Sequence, residues 1–453
     1  MTINNQSSTI NFPALLCLLA ALLAGGCASR GLAGTRYTSE DLTRQPWFPP
    51  VTRQQSFSCS QQVALYYLLT AEWNRTRRQS AASPFRRFSP YFAYSLLAGD
   101  ESGRSHVVDG WIVAREAGAP LEADCPRYSR TLMHGYDRYL RAMKHRAEGW
   151  DLTPVGDHAG IEKAKRLLAA GHPLACDFQI KGTVLRLMTA KNYAGRPAPA
   201  PAAAPKGEKF VHQWGRTGPG HAMVYAGYDD SVGFDFNGDG LITDNRDITG
   251  DGAVTLADCE RGAFLVINPW GGAWGQRGKA WAPYRHHAAS KWPWARTVAS
   301  VRAAPPHQPR LTLKLRLRAG DRQNIIVTCG NGRRSVQPWM FNHTPASGGG
   351  SGNVWDAFTS LRAPGPHLSA GTLAAPDGGP LETGHDLTNL RDGSSYTLEI
   401  RPAGRGALSG DLAGASFMEY DGSGRVVREV PVAGLPVRLP PGGGVWSTVG
   451  GGR

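Results

Sequence analysis

In the first half of the chain, segments with a helical pattern of hydrophobic residues alternate with segments that have an extended pattern. Hydrophobic residues recur at helical spacing in residues 59–72, 106–117 and 161–168, so that each segment would present one apolar face. The last of these segments is followed by residues 172–178, which we predict to form a strand. The pattern therefore predicts a mixed domain in which helices pack against strands.

The pattern changes after about residue 305, where strict alternation replaces the helical spacing. Residues 311–318 alternate apolar and polar side chains, as in a strand with one buried face. Residues 324–328, 395–400 and 437–439 are further strand candidates between segments rich in glycine and proline. We therefore predict that residues 305–453 form a C-terminal β-sandwich domain.

The length of the chain, 453 residues, favours two domains, because a single hydrophobic core rarely grows so large. Its 56 glycines and 32 prolines favour short elements joined by long loops. We place a tether at residues 28–50 and a first domain at 51–300, before the β-rich domain at 305–453. The Pro/Ala-rich residues 195–207 form a semi-rigid loop within the first domain.

The net charge of +14 invites a nucleic-acid partner, but the arrangement of the basic residues does not support one. They are spread along the chain, and the tightest cluster contains no recognisable nucleic-acid-binding motif. We interpret that cluster as a solvated basic face, so no nucleic acid is expected as a partner. The cluster comprises Arg75, Arg77, Arg78, Arg86 and Arg87.

Residues 1–27 are typical of an export signal. The apolar run 13–24 is too short to span a membrane but fits the centre of a signal peptide. Small residues surround Cys27 and resemble a bacterial lipoprotein signal, in which the cysteine is lipidated and becomes the new N-terminus. Ala28 would favour the outer membrane. We therefore expect a monomer of the cell envelope with a lipid anchor in the membrane; ordinary signal cleavage, giving a periplasmic or secreted protein, is the alternative.

Three separated segments carry the residue types of a thiol-based active site. Cys59 opens the first predicted helix, since Ser58 and Gln61 have the spacing of a capping box. His221 precedes an apolar strand, and Asn268 ends the next strand. A helix N-terminus favours a thiolate, a histidine can accept and return a proton, and an amide can orient the imidazole. Together they would be nucleophile, base and orienting group.

In order and local context, these segments resemble the papain family of cysteine peptidases over about residues 51–290. The resemblance implies an α+β papain-like fold, with a helical lobe carrying Cys59 and a β-rich lobe carrying His221 and Asn268. It also implies hydrolysis of a protein or peptide substrate through a thioester acyl-enzyme, without a cofactor for catalysis. Trp270 matches the family's tryptophan that shields the hydrogen bond between histidine and asparagine.

The oxyanion formed on the substrate needs hydrogen-bond donors, and the backbone N–H of Cys59 would be one of them. In the family the second donor is a glutamine six residues before the cysteine, a position that Arg53 occupies here. Gln54 and Gln55 follow it. A shift by one residue would assign the second donor to Gln54.

Of the seven cysteines, five remain after removal of the signal and lipidation of Cys27. An odd number fits one free nucleophile and four structural residues. An exported protein permits disulfides, and four buried unpaired thiols are equally compatible with the sequence. The five are Cys59, Cys125, Cys176, Cys259 and Cys329.

An acidic insertion at residues 230–260 contains two tandem loops of the pattern D-x-[NDT]-x-D-G. Alternate oxygen-bearing side chains and a glycine turn suit calcium, and the stretch resembles EF-hand or dockerin-like calcium loops. Asp258 occupies the twelfth position of the second loop, but Arg246 occupies it in the first, where Asp244 or Asp247 must substitute. We predict structural Ca²⁺ in at least one loop; a solvated acidic loop is the alternative. The candidate ligands are Asp235, Asn237, Asp239, Asp244, Asp247, Thr249, Asp251 and Asp258.

These features favour an exported cysteine peptidase, and two other functions are compatible with the same motifs. One is a catalytically inactive papain-like binding protein of the cell envelope. The other is an acyl hydrolase or transferase that acts on cell-wall peptides. Turnover of a denatured protein substrate separates a peptidase from a binding protein, and product analysis would identify acyl transfer.

Overall fold

The computed structural model describes residues 38–97, 105–188, 208–341, 371–391, 393–404 and 406–448. The predicted export signal with Cys27, part of the tether, and the Pro/Ala-rich loop at 195–207 lie outside these residues. Within the described part of the chain, no helix is long and apolar enough to cross a membrane.

The α-helices of the described residues lie in the first two thirds of the chain, and the predicted segments 106–117 and 161–168 coincide with two of them. Each of these two helices is followed closely by a glycine with positive φ, Gly118 or Gly171, which allows the chain to leave the helix. The helices are α1 (Cys59–Gln61, Gln62–Leu69 and Thr70–Thr76), α2 (Tyr91–Leu97), α3 (Val107–Glu116), α4 (Tyr136–Met143), α5 (His158–Ala169) and α6 (Arg285–Ala289).

Helix α1 begins at Cys59 as predicted, and its middle part has π-helical hydrogen bonding. The predicted capping box is wrong. Ser58 is the N-cap, but its hydroxyl donates to the Gln55 carbonyl, while the Gln61 amide donates to Ser105 and His106. Residues 60–74 are buried on every side, so α1 is enclosed by other elements and holds its first residue rigidly.

A nine-stranded sheet in the described residues forms the other side of this region, with the order β2-β9-β3-β6-β7-β8-β5-β4 and β1 paired to β6. Its pairs are antiparallel except β5 with β8. His221 lies within strand β6 rather than before it, because the strand begins earlier than its apolar stretch. The strands are β1 (Ser39–Asp41), β2 (Ala147–Pro154), β3 (Leu174–Lys181), β4 (Val184–Leu187), β5 (Lys209–Gln213), β6 (Thr217–Gly233), β7 (Arg261–Ile267), β8 (Lys279–Pro283) and β9 (Thr297–Ala303).

Beyond residue 305 the described residues form a five-stranded and a four-stranded antiparallel sheet, with the orders β13-β10-β15-β16 (β17 paired to β15) and β12-β11-β14-β18. The alternation predicted for 311–318 is confirmed, since its leucines are buried and its arginines are exposed. A separate β-sandwich domain stays a prediction. The strands are β10 (Leu311–Ala319), β11 (Ile325–Gly330), β12 (Ser335–Val336), β13 (Leu381–Asp386), β14 (Thr397–Pro402), β15 (Gly410–Tyr420), β16 (Val426–Pro431), β17 (Val437–Arg438) and β18 (Gly444–Ser447).

The C-terminal sheets pack against the helices through buried polar contacts. Arg322, which is 3% exposed, donates to the carbonyls of Ser95 and Leu96 near the end of α2 at 3.2 and 2.8 Å. Arg146 forms an ion pair of 2.5 Å with Asp386. Because Arg322 is buried and the Arg146–Asp386 pair is only partly exposed, these contacts join the two regions more firmly than surface ion pairs would.

Candidate active site

Cys59, His221 and Trp270 line one cleft with a volume of about 480 Å³. The cleft lies between the starts of α1 and α3 on one side and strands β3, β6 and β9 on the other. Its volume is in the range of small-molecule binding sites and suits a short stretch of peptide. The structure therefore brings the predicted nucleophile and base to the same opening.

His221 is held by a hydrogen bond of 2.9 Å between its Nε2 and Asn268 Oδ1. The same oxygen accepts the backbone N–H of Trp270 at 3.0 Å. Because a backbone N–H can only donate, this second bond identifies the atom as the amide oxygen. Nε2 of His221 must then carry the proton, and Nδ1 carries the lone pair that can accept one.

Strand pairing explains why these residues meet. Asn268 directly follows β7, which is antiparallel to β6, and Val224 is opposite Ile267 in the register. His221 lies three residues before Val224 in β6, which places it near the end of β7 where Asn268 leaves the sheet. Adjacent strands are about 5 Å apart, within reach of one side-chain hydrogen bond.

Trp270 covers the hydrogen bond between His221 and Asn268. Its ring centroid lies 4.8 Å from that of His221, and Trp270 itself is 42% exposed to solvent. His221 and Asn268 beneath it are 5% and 0% exposed. This arrangement matches the shielding role that the resemblance implies for Trp270.

The Cys59 thiol and the His221 imidazole share no hydrogen bond in the described structure; the thiol instead donates to the Phe57 carbonyl at 3.9 Å. Burial raises the pKa of Cys59, the backbone N–H of Ala222 lowers it, and the Asp177 charge raises it. Burial lowers the pKa of His221, and Asn268 and Asp177 act in the opposite direction. Both shifts favour a neutral thiol and a neutral imidazole in the resting cleft.

Gln54, the predicted second oxyanion donor, lines the cleft with Cys59. Its backbone N–H donates to the Pro269 carbonyl at 2.7 Å, which ties this loop to the segment after Asn268. Its side-chain Nε2 donates to the Ser56 carbonyl at 2.8 Å, so it must turn to reach a substrate. Gln55 accepts the backbone N–H of Tyr128 at 3.1 Å instead. Of the two glutamines, Gln54 is the one in the cleft.

Asp177 on β3 also lines the cleft, and sequence reasoning missed it. Burial raises its pKa to about 6, while the indole N–H of Trp292 and the charge of His221 lower it. Its carboxylate interacts electrostatically with both Cys59 and His221. An ionisable residue between the apolar Cys176 and Phe178 was the available signal, because carboxylates are rarely buried without a partner.

The second acidic loop brings three predicted calcium ligands together. Carboxylate oxygens of Asp247, Asp251 and Asp258 all lie within 4.8 Å of one another. Asp258 accepts backbone N–H groups from Ile248 and Thr249, and Asp247 accepts those of Gly250 and Gly252. Burial would raise the pKa of Asp258, but hydrogen bonds from Thr255 and Thr249 lower it, so the group is ionised. An oxygen-only set of this kind fits Ca²⁺.

The first acidic loop does not assemble such a cluster. Asp244 Oδ1 accepts the backbone N–H groups of Glu260 and Arg261 at 3.0 and 2.9 Å, and in the described residues this carboxylate forms no metal-binding group with Asp235 or Asp239. Arg246 forms an ion pair with Asp239 at 3.4 Å. Asp247 groups with Asp251 and Asp258 of the second loop rather than with Asp235 or Asp239 of the first.

The five cysteines of the described residues are free, which leaves unpaired thiols as the valid alternative. Burial raises the pKa of Cys176, Cys259 and Cys329, as expected for inert thiols in a core. Cys125 is partly exposed and outside the cleft, and burial raises its pKa as well.

Comparison with known proteins found no matching family model and no matching curated protein. Among the solved structures that are similar to the chain are two cysteine proteases. One is xylellain, a cysteine protease from Xylella fastidiosa, with 19% identity, a TM-score of 0.36, and coverage of 58% of this chain and 85% of the other. The second is the bromelain protease from Ananas comosus in complex with the E64 inhibitor, with 12% identity, a TM-score of 0.35, and coverage of 58% and 98%. With TM-scores this low, the site is interpreted from its own geometry.

Proposed function

We propose that this protein is an exported papain-like cysteine endopeptidase that uses Cys59, His221 and Asn268. The observation that carries the proposal is the buried hydrogen bond from His221 Nε2 to Asn268 Oδ1. It leaves Nδ1 as the proton acceptor in the cleft that also contains Cys59. A cysteine at a helix N-terminus beside a histidine held in this tautomer has the parts that thiol activation requires.

The chemistry begins when a peptide carbonyl settles over Cys59. As the sulfur bonds to the carbonyl carbon, the thiol proton passes to His221 Nδ1 and the carbonyl oxygen becomes an oxyanion. The backbone N–H of Cys59 and the amide of Gln54 stabilise that charge. The imidazolium protonates the leaving amine, the C–N bond breaks and a thioester remains. Water, deprotonated by His221, then hydrolyses the thioester and restores the thiol.

A thiol-directed probe, combined with turnover of a denatured protein, tests this function. We expect wild-type protein to be labelled at Cys59 and to cleave the substrate, and Cys59→Ala to lose both properties. Cys125→Ala is the matched control, because this partly exposed thiol lies outside the cleft and its loss should leave both intact. Labelling that persists unchanged in Cys59→Ala would contradict the nucleophile assignment.

An inactive binding protein is the second candidate, because Cys59 and His221 do not share a hydrogen bond in the resting cleft. In that case the protein would bind peptides in the cleft without turnover, and Cys59→Ala would bind them equally well. Active-site hydrogen bonds often tighten only when substrate is bound, so turnover rather than resting geometry decides between the two functions.

Structural Ca²⁺ in the second acidic loop is a further part of this proposal. The cluster of Asp247, Asp251 and Asp258 supports it. The loop joins β6 to β7, the strands that position His221 and Asn268. An ion there would stiffen the connection between the base and its orienting group.

A lipid anchor at Cys27 is also proposed, on the sequence pattern of residues 13–29. Metabolic labelling with a fatty-acid analogue in a bacterial host tests it. We expect label and membrane association in the wild-type protein and neither in Cys27→Ala. Equal labelling of both proteins would exclude lipidation at this position.

A further inference from the structure

Asp177 extends from the sheet into the cleft beside the reacting groups. It lies opposite Ala222 in the antiparallel pair of β3 and β6, and His221 immediately precedes Ala222. The carboxylate lies over Gly220, where an added Cβ would be 2.4 Å from Oδ1. Glycine at position 220 thus leaves the space that this carboxylate occupies.

The walls around Asp177 are mainly apolar and aromatic. Val108, Leu152 and Ile180 line the same cleft, together with Trp292 and Trp294. A carboxylate in such surroundings is costly unless it is paired or well hydrogen-bonded. Because it lies on the wall of a binding cleft rather than on open surface, a hydrogen-bonding or cationic partner would lower this cost.

The protein itself provides a hydrogen bond to the Asp177 carboxylate but no cationic partner for it. The indole N–H of Trp292 donates to Oδ1 of Asp177 at 2.6 Å. No lysine or arginine of the described residues forms an ion pair with this carboxylate, and His221, whose charged form would act on it, is neutral in the resting cleft because burial lowers its pKa. Nε2 of His221 already forms a hydrogen bond with Asn268. A cation from outside the chain would complete the pairing.

That cation must belong to the molecule that occupies the active site. Asp177 and Cys59 line the same cleft, and their charges interact. The backbone N–H that acts on the Cys59 sulfur is that of Ala222, the strand partner of Asp177. A side chain that reaches Asp177 is therefore within one or two residues of a peptide bond placed over the thiol.

We propose that Asp177 is a specificity-determining residue that binds a positively charged side chain of the substrate, an arginine in particular. The proposal rests on the proposed peptidase function of the same cleft. Arginine is favoured because its planar guanidinium can pair with the carboxylate while it stacks on the indoles of Trp292 or Trp294. Asp177 thus selects peptides with a basic residue close to the scissile bond.

A purely electrostatic effect of Asp177 on His221 gives a different result. Such an effect would change turnover of every substrate by the same factor, whatever its side chains. Substrate selection changes the ratio between a charged substrate and its neutral isostere. The test therefore compares arginine with citrulline, which has nearly the same shape but no charge.

The experiment measures binding of short capped peptides to the full-length Cys59→Ala protein by fluorescence anisotropy. A single arginine or citrulline is moved through each position of an otherwise neutral sequence. We expect arginine to bind about 10- to 100-fold more tightly than citrulline at one position, the range for a charge-assisted hydrogen bond. Adding Asp177→Asn should remove the difference. Asp151→Asn is the control, because the Asp151 side chain is 61% exposed and paired with Arg302.

Equal affinity of arginine and citrulline at every position would overturn the proposal, as would a preference that survives Asp177→Asn. The comparison in the Cys59→Ala protein needs no change at position 177, so it holds even if the Asp177→Asn protein fails to fold. Turnover by the wild-type protein is measured in parallel. A preference for arginine without any turnover supports the recognition site while it contradicts the peptidase function.

Discussion

His221 and Asn268 form a buried hydrogen bond of 2.9 Å, and the amide oxygen that accepts it is oriented by the backbone N–H of Trp270. The bond sets both the tautomer and the direction of the imidazole. In the proposed mechanism, every step at Cys59 depends on this bond, because only a proton-free Nδ1 can accept the thiol proton.

Asn268→Ala should lower kcat about 10- to 100-fold with little change in KM, because the imidazole loses its orientation but the binding walls remain. Steady-state kinetics with a peptide substrate checks this. A change confined to KM would contradict an orienting role. Circular dichroism of the variant should be unchanged, which separates loss of orientation from loss of fold.

Gln54→Ala should lower kcat by about two to three orders of magnitude if its amide completes the oxyanion site. Gln55→Ala is the matched control: its side chain accepts the Tyr128 N–H outside the cleft, so its removal should leave kcat nearly unchanged. Kinetics of both variants on one substrate gives the comparison. Equal effects of the two substitutions would exclude Gln54 as a specific donor.

Asp177→Asn should stabilise the protein at about pH 8 but not at about pH 4. An aspartate in the unfolded chain has a pKa near 3.9, whereas burial raises that of Asp177 to about 6. Between these values the folded state binds more protons, so the free energy of unfolding falls as pH rises. The full destabilisation caused by the buried carboxylate, at most about 3 kcal/mol, is present above the pKa of Asp177 in the folded state.

Thermal melts of wild-type, Asp177→Asn and Asp151→Asn proteins between about pH 4 and pH 8 test whether the stability gained by Asp177→Asn rises with pH. The control carboxylate is exposed, so its removal should have a small effect at either pH. An equal gain for Asp177→Asn at both pH values would mean that ionisation is not its cause.

Removal of Ca²⁺ with a chelator should lower the melting temperature, since an ion that binds only the folded state adds about 2.7 kcal/mol at one hundred times its Kd. Asp251→Asn should weaken this calcium dependence, because Asp251 belongs to the second-loop cluster. Asp239→Asn, in the first loop beside Arg246, is the matched control, and its melting temperature should still depend on calcium. Identical melting with and without calcium would exclude a structural ion.

Arg322→Ala should destabilise the protein by about 2 to 4 kcal/mol, because the carbonyls of Ser95 and Leu96 lose a buried donor. Arg318→Ala removes an arginine whose ion pair with Asp411 is exposed, and should cost little. Denaturant titration of both variants measures the difference. Similar costs would show that the buried contact is no more important than a surface ion pair.

Local patterns in the sequence were sufficient to predict several elements and the candidate triad. Strict alternation at 311–318 predicts a strand with one buried face, and Leu311–Ala319 is that strand. Cys59 also lies at the predicted helix start, although the capping box on which that prediction rested does not form. These features depend on the periodicity of the backbone, which a few consecutive residues determine.

Contacts between distant segments were decided by the tertiary structure. Gln54 and Gln55 are adjacent in sequence, and only the path of their loop places the first in the cleft and the second against Tyr128. Asp244 has the spacing of a calcium ligand, yet among the described residues only Asp247, Asp251 and Asp258 come together as a carboxylate cluster.

Asp177 shows the same limit most clearly. Its place between apolar residues of a strand predicts burial, but not that one face of the strand borders a cleft beside Cys59 and His221. The sequence by itself determined which residues could be nucleophile, base and orienting group. The tertiary structure decided which of them meet and which carboxylate joins them, because strand pairing and helix packing bring together residues whose separation along the chain carries no such signal.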